Sequence, residues 1–295
     1  MKIAFIGEFT KLWNEEGIAR SFEKLGIEII RFPEEGFDAR TALKIIADEK
    51  PDMVLTAKLR IDHREFFVKE IKKMRIPTVS WTFDLYFGHR RESKIDEDII
   101  FRTDYIFGPD GGNIQRFRDK GINYHLLRQG IYNEYCYRGK WTKEFSSDVA
   151  YVGGIQYGHR EVMCAYLKKF NVKRYGRLVT THVRGDALNA LYASVGVVVG
   201  DSLPSPLYWS NRLYETLGRG GFLIFTDIEG LNEEYEPYKH FIPFKFYGFQ
   251  SLGEKIEHFL KHPEEREKIS NAAMEHTKKH HTLLNRCQQF LDIVQ

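Results

Sequence analysis

Short apolar runs alternate with amphipathic stretches along nearly the whole chain, and this alternation limits the fold more than any single motif. Residues 2–6 are apolar and end at Gly7. A helical period through Ile18, Phe22 and Leu25 then stops at Gly26, and residues 27–32 form a second apolar run. Helical spacing returns over 39–49 (Leu43, Ile46, Ala47), 63–74 (Phe67, Ile71, Met74) and 113–120, with apolar runs at 51–57, 76–81, 103–107 and 124–127. A period near 3.6 marks an amphipathic helix, and a short apolar run bounded by glycine or proline marks a buried strand. Strands joined through helices return in the same direction, so this half is predicted to be a parallel sheet with helices on both faces.

Residues 132–147 break the pattern, being polar and aromatic without a period, and read as an interdomain linker. Beyond them the alternation resumes. A strand over 148–152 runs into Gly153-Gly154 and Gly158-His159-Arg160, and a helix covers 161–170. A strand from Val172 ends in Tyr175-Gly176, a short helix covers 187–193, and a strand over 195–199 ends in Gly200-Asp201-Ser202. The last strands are expected at 222–227 and 241–244. Ser251 and Glu254 have the spacing of a capping box for a helix over 252–261, and Pro263 suits the first position of the next helix. A terminal helix is expected over 283–294.

At 295 residues the chain is long enough for two domains of ordinary size, and 42% hydrophobic with 14% aromatic residues supports real cores. A net charge of +3 is too mild to demand a nucleic-acid partner, though it suits a protein that handles anionic nucleotides. The three cysteines (Cys136, Cys164, Cys287) are widely separated and form no metal-binding pair, which points to a reducing cytoplasm. The first residues read as a strand rather than a signal peptide, and no apolar run reaches the length of a membrane span.

One stretch carries chemistry. Residues 207–225 open with Pro204-Ser205-Pro206 just before them, offer Ser210 as a helix cap, and turn Leu213, Tyr214 and Leu217 inward. They then stop at Gly218–Gly221 and enter a strand. Ligands of such units sit outside the carboxyl ends of the strands, and helix N-termini bind phosphate. Arg212 is thereby placed to meet a pyrophosphate, and Glu215 to accept hydrogen bonds from a ribose diol.

Asn211-Arg212-Leu-Tyr-Glu215, followed by Gly220-Gly221-Phe-Leu-Ile, resembles the nucleotide-sugar motif of GT-B glycosyltransferases. It is most similar to the glycosyltransferase-like group named after bacterial spore-maturation proteins. The resemblance is firmest over 149–281 and rests mainly on architecture before that. It implies two Rossmann-like domains with parallel sheets facing a cleft and C-terminal helices crossing back: residues 1–138 for the acceptor, 139–275 for the nucleotide sugar, and 276–295 packing on the first domain. In the second domain it implies donor contacts from Gly153, Gly154, Arg160, Tyr175, Gly176, Asp201, Ser202, Ser210, Asn211, Arg212 and Glu215, with Arg212 also catalytic.

In the first domain, Glu8 either touches the acceptor or is an ordinary surface glutamate. Trp81-Thr-Phe-Asp84 matches an aromatic-x-x-Asp of the family, and with His89 it lies in a loop rich in aromatic and charged groups. That mix suits a sugar, whose CH faces stack on rings while its hydroxyls meet charged groups. The alternative is a loop whose aromatics cover the sheet edge. Asp84 is the candidate base or acceptor-orienting group. Asp96 and Asp98 form an Asp-x-Asp string but follow no apolar strand, so they read as a solvated helix start rather than a metal site. His280-His281 likewise lack partner ligands and read as solvated.

The implied reaction is transfer of a sugar from a nucleotide-diphospho-sugar, without metal or cofactor and with retention at the anomeric carbon. Retaining relatives carry a further glutamate at the position held here by Leu207, which is a departure from the pattern. A catalytically inactive nucleotide-sugar-binding protein and a sugar-nucleotide epimerase of the same fold are the alternatives. The acceptor is left open among a glycan, a protein, a small molecule and modified DNA.

Overall fold

The computed structural model describes residues 1–10, 14–176 and 183–295. They form two compact units, Met1–Gln129 with Leu283–Gln295, and Gly130–Thr282. Residues 130–138, expected with the first domain, are thus grouped with the second.

The first unit runs β1 (Lys2–Gly7), α1 (Asn14–Lys24), β2 (Glu28–Pro33), α2 (Ala39–Glu49), β3 (Met53–Thr56), α3 (Arg64–Lys73) and β4 (Thr78–Trp81). It continues through α4 (Lys94–Glu97), β5 (Tyr105–Gly108), α5 (Ile114–Asp119) and β6 (Tyr124–Leu126). Its six strands are ordered β2-β1-β3-β4-β5-β6 and every pair is parallel. Strands β3 and β4 are buried throughout and β1 from Ile3 onward, as strands covered on both faces must be. Asp38 caps α2 by accepting the Thr41 N–H at 2.7 Å.

The second unit runs β7 (Ser147–Val152), α6 (Gly158–Leu167), β8 (Val172–Tyr175), α7 (Gly185–Ser194), β9 (Val195–Gly200), α8 (Arg212–Gly218) and β10 (Leu223–Thr226). It ends with α9 (Leu231–Glu234), β11 (Ile242–Phe244), α10 (Phe249–Lys261) and α11 (Pro263–His280). The strand order is β11-β10-β9-β7-β8, again all parallel. Two apolar clusters cover its faces, one around Tyr151, Leu167, Ile224 and Leu252 and the other around Val198, Trp209, Leu213 and Phe225.

The final helix α12 (Leu283–Val294) belongs to the first unit. Its Phe290 packs edge-on to Phe22 at 5.3 Å, lies 4.6 Å from Phe107, and stacks on Trp81 at 6.0 Å. Trp81 is therefore a core residue, only 1% exposed, and its ring is not offered to a sugar.

Three local expectations change. Residues 132–147, expected as an interdomain linker, are grouped with the second unit, where Asn189 Nδ2 donates to the carbonyls of Tyr135 and Tyr137 and Thr142 N–H donates to Ser194 Oγ. The capping box at Ser251 does not form because α10 already begins at Phe249, behind Gly248 and with no side-chain cap. His281 is buried rather than solvated. It stacks on Tyr235 at 4.6 Å, its Nε2 lies 3.2 Å from His276 Nε2, and its Nδ1 lies 3.5 Å from the Glu234 carboxylate. That carboxylate also accepts the Tyr214 hydroxyl at 2.7 Å. Aromatic surface has drawn the imidazoles of His240 and His281 into the core, with a half-buried acid beside them.

His240 joins this cluster, stacked on His276 at 4.4 Å. Burial, followed by the neighbouring His276, pulls its pKa from 6.5 down to about 4. Between those values the unfolded chain binds a proton at this site and the folded chain does not, so stability should fall as the pH drops through that window. Urea unfolding midpoints at neutral and mildly acidic pH test this. His240→Gln should shrink the acid loss, and an unchanged loss would mean that His240 is not its source.

Candidate functional site

Strand β9 lies inside the second sheet, between β10 and β7, so the residue after its last glycine is enclosed. That residue is Asp201, whose side chain has no exposed surface. Its Oδ1 accepts from Arg212 Nη1 at 2.6 Å and from the Tyr151 hydroxyl at 3.0 Å. Its Oδ2 accepts from Arg160 Nε at 2.7 Å and from His159 Nε2 at 2.9 Å. Burial penalises this charge, yet Arg212, His159 and Arg160 outweigh the penalty and hold the carboxyl well below the usual range. The two guanidiniums are thus aimed by one carboxylate, and the cluster keeps an excess of positive charge.

The glycines explain how the guanidinium reaches the strand ends. Gly153, just past β7, has φ +152°, and a Cβ there would lie 2.8 Å from Arg212 Cζ. Gly176, just past β8, has φ +130°, and its Cβ would lie 2.8 Å from the Gly153 carbonyl carbon. Only glycine fits both this backbone region and this approach. The Gly153 N–H donates to the Tyr175 carbonyl at 2.7 Å, and the Gly154 carbonyl accepts from Arg160 Nη1 at 3.2 Å. Gly153, Gly154, Arg160, Tyr175, Gly176, Asp201 and Arg212 therefore form one corner at the carboxyl ends of β7, β8 and β9. Tyr175 is half-buried and meets Phe145 edge-on at 5.9 Å.

Around α8 the expectation needs correction. Asn211, not Ser210, holds the cap position, and neither side chain caps the helix. Ser210 Oγ instead donates to the Asp201 carbonyl at 3.1 Å, tying the loop to β9. Asn211 Oδ1 is buried with no hydrogen-bond partner among the described residues. Ser202 is buried as well, its N–H donating to Thr226 Oγ1 at 3.2 Å.

Glu215 does not stand alone. Arg219, one helical turn on, donates to its Oε2 at 2.9 Å through Nε and lies 2.8 Å away through Nη2. Arg219 is 3% exposed and also reaches the carbonyl of Gly185 and Oδ1 of Asn189. Sequence reading missed Arg219, His159 and Tyr151. The i,i+4 spacing of Glu215 and Arg219 was the available signal for the first. Tyr151 opens a Tyr-Val-Gly that resembles the start of the family's donor domain, but as a strand residue among apolar neighbours it carried no expected role.

The first-unit candidates are not assembled in the same way. Asp84 is half-exposed and ion-paired with Arg91. His89 lies in a turn, its N–H donating to the Tyr86 carbonyl at 3.3 Å, and Glu8 is half-buried just past β1. Asp96 pairs with Lys120 at 2.8 Å and Asp98 with Arg64 at 3.1 Å, so the two carboxylates serve separate cations of the chain rather than one ion. No helix among the described residues is long and apolar enough to cross a membrane.

The model of the family described as glycosyl transferase-like matches residues 143–292. No curated protein matches the chain. Among solved structures, an α-glucosyltransferase in complex with UDP-glucose and DNA containing an abasic site is similar with a TM-score of 0.72 at 11% identity, covering 99% of both chains. HepE of Anabaena in complex with UDP-glucose gives 0.64 at 11% identity, covering 100% of this chain and 99% of that one. Sucrose-phosphate synthase of Thermosynechococcus elongatus gives 0.67 at 9% identity, covering 99% and 98%. At such identity these likenesses speak for the fold, and they agree with two parallel α/β units of GT-B type. The family match spans just over half of the chain and includes the whole Asp201 corner, so the protein belongs to the glycosyl transferase-like family and is a glycosyltransferase.

Proposed function

We infer that the chain moves a sugar from a UDP-sugar to a hydroxyl acceptor, with the nucleotide held by the second unit. The observation that carries this reading is the glycine-lined corner where Asp201 aims Arg160 and Arg212 at the carboxyl ends of β7, β8 and β9. UDP-glucose in two structures of the same fold supports the choice of base. When the bond from the anomeric carbon to the β-phosphate breaks, negative charge grows on the diphosphate. Preorganised guanidiniums and backbone N–H groups stabilise it without rearrangement. Glu215, steadied through Oε2 by Arg219, is assigned to the ribose diol.

Asp84 is assigned to the acceptor. Its ion pair with Arg91 holds the carboxylate in place, which suits a group that orients the acceptor hydroxyl. Leu207 adopts φ 53°, and its N–H donates to the Glu229 carbonyl at 3.1 Å. With an apolar side chain there, retention relies on other donor-sugar contacts. The sequence of 211–221 keeps the spore-maturation-like group as the subgroup assignment, and three buried, unpaired cysteines agree with a cytoplasmic protein.

The test is a thermal-shift comparison of UDP, GDP, ADP, CDP and dTDP on wild type and Glu215→Ala. A ligand that binds only the folded state raises the melting temperature by mass action. UDP should stabilise wild type, and Glu215→Ala should weaken its binding by about 1–3 kcal/mol through lost hydrogen bonds. No shift with any nucleotide would overturn the donor site. Transfer should also survive EDTA. Complete loss that added Mg²⁺ restores would overturn the assignment of diphosphate charge to arginines.

A further inference from the structure

We propose that His258, His262 and Glu265 form a binding site for a borderline divalent transition-metal ion at the corner between α10 and α11, with Zn²⁺ as its probe. None of these residues belongs to the donor corner, so the site does not depend on the assigned function. His258 lies in the last turn of α10, His262 is the non-helical junction residue (φ −123°, ψ 71°), and Glu265 lies in the first turn of α11, so the break in the helix brings the three together. One candidate ligand atom from each residue lies within 4.8 Å of those of the other two.

The geometry is close to that of coordination. His258 Nε2 and Glu265 Oε2 are 3.3 Å apart. Two ligands about 2.0–2.1 Å from a tetrahedral Zn²⁺ stand roughly 3.3–3.4 Å from each other. This edge of the tetrahedron is therefore already set, and in the absence of metal a shared hydrogen holds it.

The third ligand is oriented by the backbone. His262 Nδ1 lies 2.7 Å from the His258 carbonyl oxygen. A carbonyl can only accept, so Nδ1 carries the hydrogen and neutral His262 keeps its lone pair on Nε2. Metal-bound histidines use this same tautomer lock. The two imidazoles stand face to face, with centroids 4.2 Å apart and planes at 23°. Glu265 lies in the first turn of α11.

The side chains of His258 and Glu265 are 47% and 46% exposed, so an ion enters directly and water completes its shell. Two imidazoles and one carboxylate favour Zn²⁺, Ni²⁺ or Cu²⁺ over Mg²⁺, which prefers an all-oxygen octahedron. Binding would clamp the last turn of α10 to the first turn of α11. A second i,i+4 pair, His276 and His280, supplies an internal control, because His276 Nε2 is already donated to the Glu234 carbonyl at 2.8 Å.

The experiment titrates the tag-free full-length protein with ZnCl₂ by calorimetry and with CoCl₂ by visible absorption. Wild type should bind one Zn²⁺ with the intensity of a low-coordinate Co²⁺ spectrum, and excess Mg²⁺ should not compete. His258→Ala and His262→Ala should each weaken binding by at least the roughly ten- to hundredfold that loss of an orienting partner alone costs. Glu265→Gln should weaken it and change the Co²⁺ spectrum, while His280→Ala should bind as wild type does. The substituted side chains lie on an exposed corner, and circular dichroism of each variant confirms its fold. Absence of Zn²⁺ binding, or binding that His258→Ala and His262→Ala leave intact, would overturn the site. So would an equal loss in His280→Ala.

Discussion

Asp201→Ala should destabilise the second unit by about 3–5 kcal/mol, the loss expected when one partner of a buried ion pair is removed. Asp201 is fully enclosed, and the side chains of Arg160 and Arg212 are only 6% and 16% exposed. Without the carboxylate, two guanidiniums would face each other beside a low-dielectric strand end with nothing to neutralise them. The Tyr151 hydroxyl and His159 would lose their acceptor as well. Asp201→Asn keeps the volume and one acceptor oxygen, so it should fall between the parent and the alanine variant. Urea unfolding followed by tryptophan fluorescence reports the change, because Trp209 is buried in the same unit. A loss below about 1 kcal/mol, the scale of an exposed pair, would mean that the cluster is solvated in solution. The pH dependence has a definite sign. Since the folded carboxyl ionises more readily than the unfolded one, its contribution is complete above about pH 4 and is lost as the pH falls below that value.

Arg212→Ala should lower kcat/KM for a UDP-sugar by about 10²–10³, the size found when one preorganised donor to a developing charge is removed. The side chain lies against Gly153 with its guanidinium held by Asp201, so it needs no reorganisation as the diphosphate leaves. Affinity should fall much more for UDP than for uridine, because in the proposed site only the diphosphate meets the guanidinium. Arg212→Lys should not restore the rate. An ammonium cannot bond the Asp201 carboxylate and a phosphate in the planar fork that guanidinium offers. Equal losses for UDP and uridine would remove Arg212 from the phosphate site and leave it as a structural partner of Asp201.

Helix and strand placement was largely legible because it depends on residues a few positions apart. The bounds of Ala39–Glu49 and Leu283–Val294 agree with the apolar period that marked them, and the remaining strands differ only at their ends. Where local cues competed, they misled. Ser251 and Glu254 had the right spacing for a cap, but the chain enters α10 two residues earlier at Phe249. Ser210 had the chemistry of a cap, yet its hydroxyl goes to the Asp201 carbonyl across the loop. Trp81 stood in a loop of sugar-binding composition and is instead covered by Phe290, more than two hundred residues away in the chain.

The sequence by itself determined the class of the fold, the α/β alternation of both halves, and the family motif from Asn211 to Gly221. These are properties of periodicity and of short spacings, which no distant contact has to supply. Only the tertiary structure decided how the charges pair. Asp201 meets Arg160 and Tyr151 across 41 and 50 residues because β9 lies beside β7 in the sheet. Strand order is set by which apolar faces are buried together, and no local pattern encodes it. A buried carboxylate then binds whichever cations that order brings within reach, since leaving it unpaired would cost several kcal/mol.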